Sequence, residues 1–237
     1  MDPMEISLDR TLGIQSHKKL SADLCSPALG GFTTASTNPY FPMEVGDQWL
    51  YEGEEDDAEV RVLITVLDET RVVDGVTTRV IEEREWEDDE LLEISWNYYA
   101  QAGDGTICYF GEDVDIYEEG GGIVHAGAWC AENEPNAPGI FMPADPEPGQ
   151  KYEMEVAPGI AEDRGKIVGN GPLFIGAGLF LETIRVRESN PLDKGIGFKV
   201  FASGTGLVLD GPVELVEFTE GAPTPGPPTI TGQTCGI

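Results

Sequence analysis

The chain is poor in positive charge. It has 14 lysines and arginines against 44 acids, a formal net charge of −30. Such a surface repels phosphate backbones and anionic lipid, so nucleic acid is excluded as a partner. It attracts cations, or it serves solubility alone. Histidine is scarcer still, with only His17 and His125. None of the four cysteines forms a CxxC pair. A structural zinc site usually draws its ligands from closely spaced pairs, so none is expected. No apolar run approaches the roughly 20 residues of a membrane-spanning helix. No stretch holds a helical period.

What is abundant points to strands. Thirty glycines and 17 prolines accompany a hydrophobic content of 40%. That combination suits a core built from many short strands and tight turns. The cysteine count is even, which fits disulfides formed in an oxidising compartment. Of the possible connectivities, Cys108–Cys130 and Cys25–Cys235 are expected. The first would clip neighbouring strands and the second would tie the two tails. Four reduced, buried cysteines are the alternative.

Residues 1–37 hold no sustained period and no apolar core of a secretory signal, and they are read as a leader or extended arm. Asn38–Pro39–Tyr40–Phe41–Pro42 opens a single β domain over 38–220. Val60, Val62, Ile64 and Val66 share one face by the two-residue period. Asp74–Gly75 is a type I′ hairpin signal, and Asp88–Asp89 marks another turn. Asn97 to Asp113 reads as a hairpin around Gly103–Asp104–Gly105. Residues 131–150 carry five prolines and predict a long irregular loop, with Ile140, Phe141 and Met142 capping an open end. Residues 221–237 read as a proline-, glycine- and threonine-rich tail. The fold expected is all-β, an antiparallel meander of about ten strands forming a lipocalin-like barrel or a curled sandwich.

Several motifs carry a resemblance. They are Asn38–Pro39–Tyr40–Phe41–Pro42, then Gly46–Asp47–Gln48–Trp49–Leu50–Tyr51, Tyr98–Tyr99–Ala100–Gln101, Tyr109–Phe110–Gly111–Glu112, Pro138 to Ala144 and Pro158 to Asp163. Together with Ala202 to Val208 they make the chain, over about 38–218, similar to a group of uncharacterised bacterial secreted or envelope proteins. The resemblance implies a β-rich, lipoprotein-like envelope protein, located outside the cell or in the envelope. It implies no activity and no catalytic residues.

Three chemistries compete. Calcium, a hard cation that takes oxygen ligands, is the candidate cofactor. Its proposed ligands are Glu112, Asp113 and Asp115, although the EF-hand pattern fails at Tyr117 and Glu118. Glu54 to Asp57 and Glu87 to Glu90 are similar acid clusters at hairpin ends. A small ligand inside a barrel is the second chemistry, with Trp49, Tyr51, Trp96, Tyr98, Tyr109, Trp129 and Met142 as candidate lining residues. Hydrolysis by paired carboxylates is the third, with Glu162 or Asp163 in a cleft. Adjacent strand residues face opposite ways, so those two do not form the pair together. Ser203 lacks a GxSxG context. The glycines at 169–171 and 176–178 have Phe174 and Leu181 where a dinucleotide loop needs glycine. A non-enzymatic binding protein is therefore the leading reading, and a hydrolase the alternative. A third reading is a structural subunit joined to copies of itself or to another envelope protein through its terminal arms.

Overall fold

The computed structural model describes residues 18–118, 120–224 and Cys235. It is nearly all β, and every ladder is antiparallel. Five long strands open it: β1 (Gln48–Glu55), β2 (Ala58–Val73), β3 (Val76–Glu87), β4 (Glu90–Gln101) and β5 (Ile107–Tyr117). Short strands follow: β6 (Ile123–Val124), β7 (Trp129–Cys130), β8 (Gly139–Met142) and β9 (Lys151–Glu153). The rest are β10 (Arg164–Asn170), β11 (Leu173–Ile175), β12 (Gly178–Phe180), β13 (Thr183–Ser189), β14 (Ile196–Ala202), β15 (Gly206–Asp210) and β16 (Val213–Thr219). Among the described residues only two short 3-10 turns, Ala22–Cys25 and Pro27–Leu29, are helical.

The turns follow the sequence signals. Asp74 and Gly75 both take positive φ, as do Asp88 and Asp89 and the pair Asp56–Asp57. Two-residue loops of this hand match the twist of the strands they join. The path of the sheet is β6-β5-β4-β3-β2-β1-β16-β15-β14-β13-β10-β9, with β7 and β8 also paired to β5. Register shifts interrupt seven of these ladders, among them β2–β3, β4–β5 and β14–β15. Such bulges bend strands, and here they curl the sheet on itself.

Among the described residues no ladder joins β8 to β9, so the sheet is not a closed barrel. The two edges nevertheless lie close. Ala137 bridges Val156, and a Cβ added at Gly139 would run into the backbone of Met154. The expected irregular loop thus contains a strand. Pro138 and Pro143 flank Gly139–Met142 rather than interrupt it, so the segment keeps the N–H groups it needs to pair with β5.

The N-terminal segment differs from an extended arm over its described part. Leu20 N–H donates to Lys151 O at 2.9 Å, and Lys151 N–H to Lys18 O at 3.1 Å, so residues 18–20 cover the edge of β9. Thr33 bridges Gln101, and Phe32 meets Phe110 edge-on at 5.6 Å. Residues 1–17 and most of the tail lie outside the described residues.

The disulfides also depart from the expected pairing. Cys25 joins Cys108, with Cα atoms 5.5 Å apart, and Cys130 joins Cys235 at 5.2 Å. Cys108 points to the face of β5 covered by the N-terminal segment, where it meets Cys25. Gly111 stands at φ +136, and a Cβ there would strike the backbone of Trp129 and Cys130 and the sulfur of Cys235. The glycine lets β7 and the second disulfide approach β5. Both bridges fit an oxidising setting, and no described helix is long and apolar enough to cross a membrane.

Candidate functional site

The inner face of the curled sheet encloses a cavity of about 220 Å3. Its walls come from β1 to β5, from β8, and from β13 to β15. Pocket volumes for drug-sized ligands run from roughly 300 to 1,000 Å3, so this one suits something smaller.

Aromatic rings form one part of the wall. Phe141, from the strand between the two prolines, sits at its centre. Its ring lies 4.9 Å from Phe41, 4.9 Å from Tyr99, 6.0 Å from Tyr109 and 6.2 Å from Phe201. Tyr99 and Tyr109 stack at 4.6 Å across the β4–β5 ladder. Trp49 donates its indole N–H to Thr205 O at 2.7 Å, and Tyr51 its hydroxyl to Leu207 O at 2.9 Å. Both β1 rings are therefore fixed in orientation.

Carboxylates form the other part. Glu83, Glu93, Glu112, Glu155, Asp163 and Glu188 all line the cavity, and among the described residues Lys199 is the only cation that does. Lys199 is already engaged, with Asp210 at 2.9 Å and Glu188 at 3.6 Å. Its charge is held, and its pKa raised, by those acids. Lys199 also acts on Glu83, whereas among the described residues Glu93, Glu112, Glu155 and Asp163 have no basic group within ion-pair distance. Burial pushes Glu83 up to about 7. Glu112 and Glu155 are raised further, first by burial and then by the neighbouring acids, while a hydrogen bond from Tyr109 partly offsets the shift at Glu112. Glu155 also shares a side-chain hydrogen bond with Asp163. A positive charge placed beside these raised carboxyls would favour their ionised form.

The sequence candidates divide by strand alternation. Trp49, Tyr51 and Tyr109 line the cavity. Trp96 and Tyr98 do not. They lie on the opposite face of β4 from Ser95, Asn97 and Tyr99, which do line it. Trp96 donates to Glu82 at 2.9 Å, and Tyr98 to Asp113 at 2.6 Å. Trp129 meets Tyr109 edge-on at 5.4 Å, and Met142 is fully buried on β8; both back the wall without lining it.

The same alternation takes the proposed calcium ligands apart. Glu112 faces the cavity, whereas Asp113 and Asp115 are buried on the other face, Asp113 against Tyr98 and Asp115 3.1 Å from His125. Among the described residues no three acids, histidines or cysteines are grouped to hold a metal ion. Of the two acids proposed for hydrolysis, Asp163 lines the cavity. Glu162 instead accepts from Gly159 N–H at 2.9 Å and lies 3.8 Å from Arg164.

Sequence reasoning missed Glu83, Glu93, Glu155 and Glu188. On β3, Glu83 occupies the inward register with Ile81, and that parity is the one signal that marks it. Phe41, Phe141 and Phe201 were also missed as lining residues. No family model matches the chain, nor does any curated protein or solved structure.

Proposed function

We propose that this protein binds a small organic cation, an amine or quaternary ammonium, inside a barrel-like sheet, and that it works outside the cytoplasm. One observation carries the reading. A single cavity is lined by the rings of Tyr99, Tyr109 and Phe141 together with six acidic side chains, and the one lysine among its lining residues is already paired. Aromatic faces attract cations through the ring quadrupole, and more so where water is excluded. A bound cation would replace the missing counter-charge, and Glu83, Glu112 and Glu155 would release protons to meet it. The bridge between Ala137 and Val156 supports a barrel-like closure, and the two disulfides support an oxidising compartment.

The test is a thermal-shift series with tetramethylammonium, choline and putrescine, set against 3,3-dimethyl-1-butanol, the neutral isostere of choline. Choline raising Tm while the isostere does not supports the reading. Equal shifts from both would make the cavity merely apolar, and no shift from any cation would sink the proposal.

A second reading rests on the hydrogen bond shared by Glu155 and Asp163 beside Glu112. A buried carboxyl kept protonated can serve as general acid while a second carboxyl farther across the cavity serves as nucleophile or base, as glycoside hydrolysis requires. Turnover of nitrophenyl glycosides that disappears in Glu155→Gln would favour it; no turnover across a broad panel would remove it.

A further inference from the structure

The chain's scarce cations are not evenly spread. Five of the 14 line one open groove of about 640 Å3 on the outer face of β9, β10 and β13: Lys19, Lys151, Arg164, Lys166 and Arg187. Glu153 is the one acid among its lining residues, and it is taken by Lys19 at 3.4 Å. The register sets Lys166 directly opposite Lys151 on one side and Arg187 on the other. Like charges facing across strands are unfavourable. Among the described residues Lys151, Lys166 and Arg187 have no carboxylate within ion-pair distance, in a protein with 44 acids. Lys19 and Arg164 are paired, with Glu153 and with Glu162 at 3.8 Å, so three of the five groove cations lack a counter-charge among the described residues.

The same chain presents the complement elsewhere. The β1–β2 and β3–β4 turns lie side by side, joined by Asp88 N–H to Glu59 O at 2.9 Å and Glu59 N–H to Asp88 Oδ1 at 3.0 Å. They project Asp56, Asp57, Asp88 and Asp89, all exposed. Arg61, 3.5 Å from Asp89, is the one cation paired there. Each turn is a narrow two-residue loop, the shape that a groove admits. Among the described residues none of these four acids lies within ion-pair distance of a groove cation, so one molecule does not satisfy itself.

We infer that the groove on β9, β10 and β13 is the docking site for the acidic turns of a second copy of this chain. The contact is head-to-tail, so it can propagate into a chain or close into a ring. Much of the −30 net charge lies beyond the ~8 Å Debye length at physiological salt, and local complementarity then governs the contact. This inference stands apart from the cavity and its ligand.

Sedimentation velocity on the full-length protein tests it through charge exchange. Wild type is expected to form concentration-dependent species larger than the monomer, which high salt dissolves. A groove-reversed variant (Lys151→Glu, Lys166→Glu, Arg187→Glu) is expected to be monomeric. A turn-reversed variant (Asp56→Lys, Asp57→Lys, Asp88→Lys, Asp89→Lys) is expected to be monomeric too. An equimolar mixture of the two variants regains association, because each now offers what the other lacks. Both remain net negative, so bulk attraction does not explain a rescue. Circular dichroism of each variant checks that the fold is kept. A wild type monomeric at every salt and concentration overturns the inference. So does association that survives both reversals, or a mixture that stays monomeric although both variants are folded. Retention of a strictly monomeric wild type on immobilised heparin assigns the groove to an anionic glycan and overturns it as well.

Discussion

Tyr98 donates a 2.6 Å hydrogen bond to Asp113 on the face of the sheet turned away from the cavity. Both are fully buried. Their chain neighbours Tyr99 and Glu112 stand inside the cavity, so a step of one residue separates a structural pair from the candidate site. Tyr98→Phe removes the donor and leaves a buried acceptor less satisfied, which costs about 1–3 kcal/mol. Urea denaturation is expected to show that loss, while affinity for choline stays unchanged. A large affinity loss with unchanged stability would contradict the assignment of the two faces.

Phe141 touches four other rings of the cavity wall. Phe141→Ala is expected to cost about 3 kcal/mol, near the lower end for a large aromatic, since the residue is only partly buried. It should also weaken cation binding, whereas Phe141→Leu restores most of the stability but not the affinity. If leucine restores both, the ring serves packing alone.

The disulfides tie distant parts of the chain, with a sequence separation of 83 from Cys25 to Cys108 and of 105 from Cys130 to Cys235. Closing loops of that size restricts the unfolded chain, and each bridge is expected to contribute roughly 4 kcal/mol. Cys25→Ser with Cys108→Ser should lower the denaturation midpoint accordingly. Peptide mapping without reduction should recover Cys25 linked to Cys108. Recovery of Cys108 linked to Cys130 would refute the pairing.

The buried carboxyls give stability a pH dependence of definite sign. Glu83, Glu112 and Glu155 have folded pKa values above the ordinary 4.5, Glu83 at about 7. Between the ordinary carboxylate range and those raised values the native state keeps protons that the unfolded chain has lost. Stability of the ligand-free protein therefore falls as pH rises from about 4.5 through 7 and beyond. A Tm series over that range should decline, and Glu83→Gln with Glu112→Gln should flatten it. A Tm that climbs over the same interval would mean that the inner acids are ionised and compensated.

Much of the architecture was legible. The alternation from Val60 to Val66 and the Asp74–Gly75 and Asp88–Asp89 pairs mark β2 and the turns of β2–β3 and β3–β4. The candidate site was less so, for physical reasons. From Ile94 to Gln101, β4 is buried on both faces, so hydrophobicity does not tell Trp96 and Tyr98 from Tyr99. Acids are so common in this chain that inward Glu83 and Glu155 look like outward ones. Phe141 looked like a loop cap because the prolines on either side hid a four-residue strand. The Cys25–Cys108 bridge depends on how residues 18–37 fold back across the sheet, which no local pattern encodes.

The central claim is that the cavity holds a cation and releases protons as it does so. Calorimetric titration of choline into the full-length protein, run near pH 6 and near pH 8.5 in two buffers of different ionisation enthalpy, tests it directly. The account predicts tighter binding at the higher pH, a buffer-dependent heat that reports proton release at the lower one, and loss of that release in Glu112→Gln with Glu155→Gln. Absence of binding at both pH values, or binding with no proton release and no response to those substitutions, would contradict it.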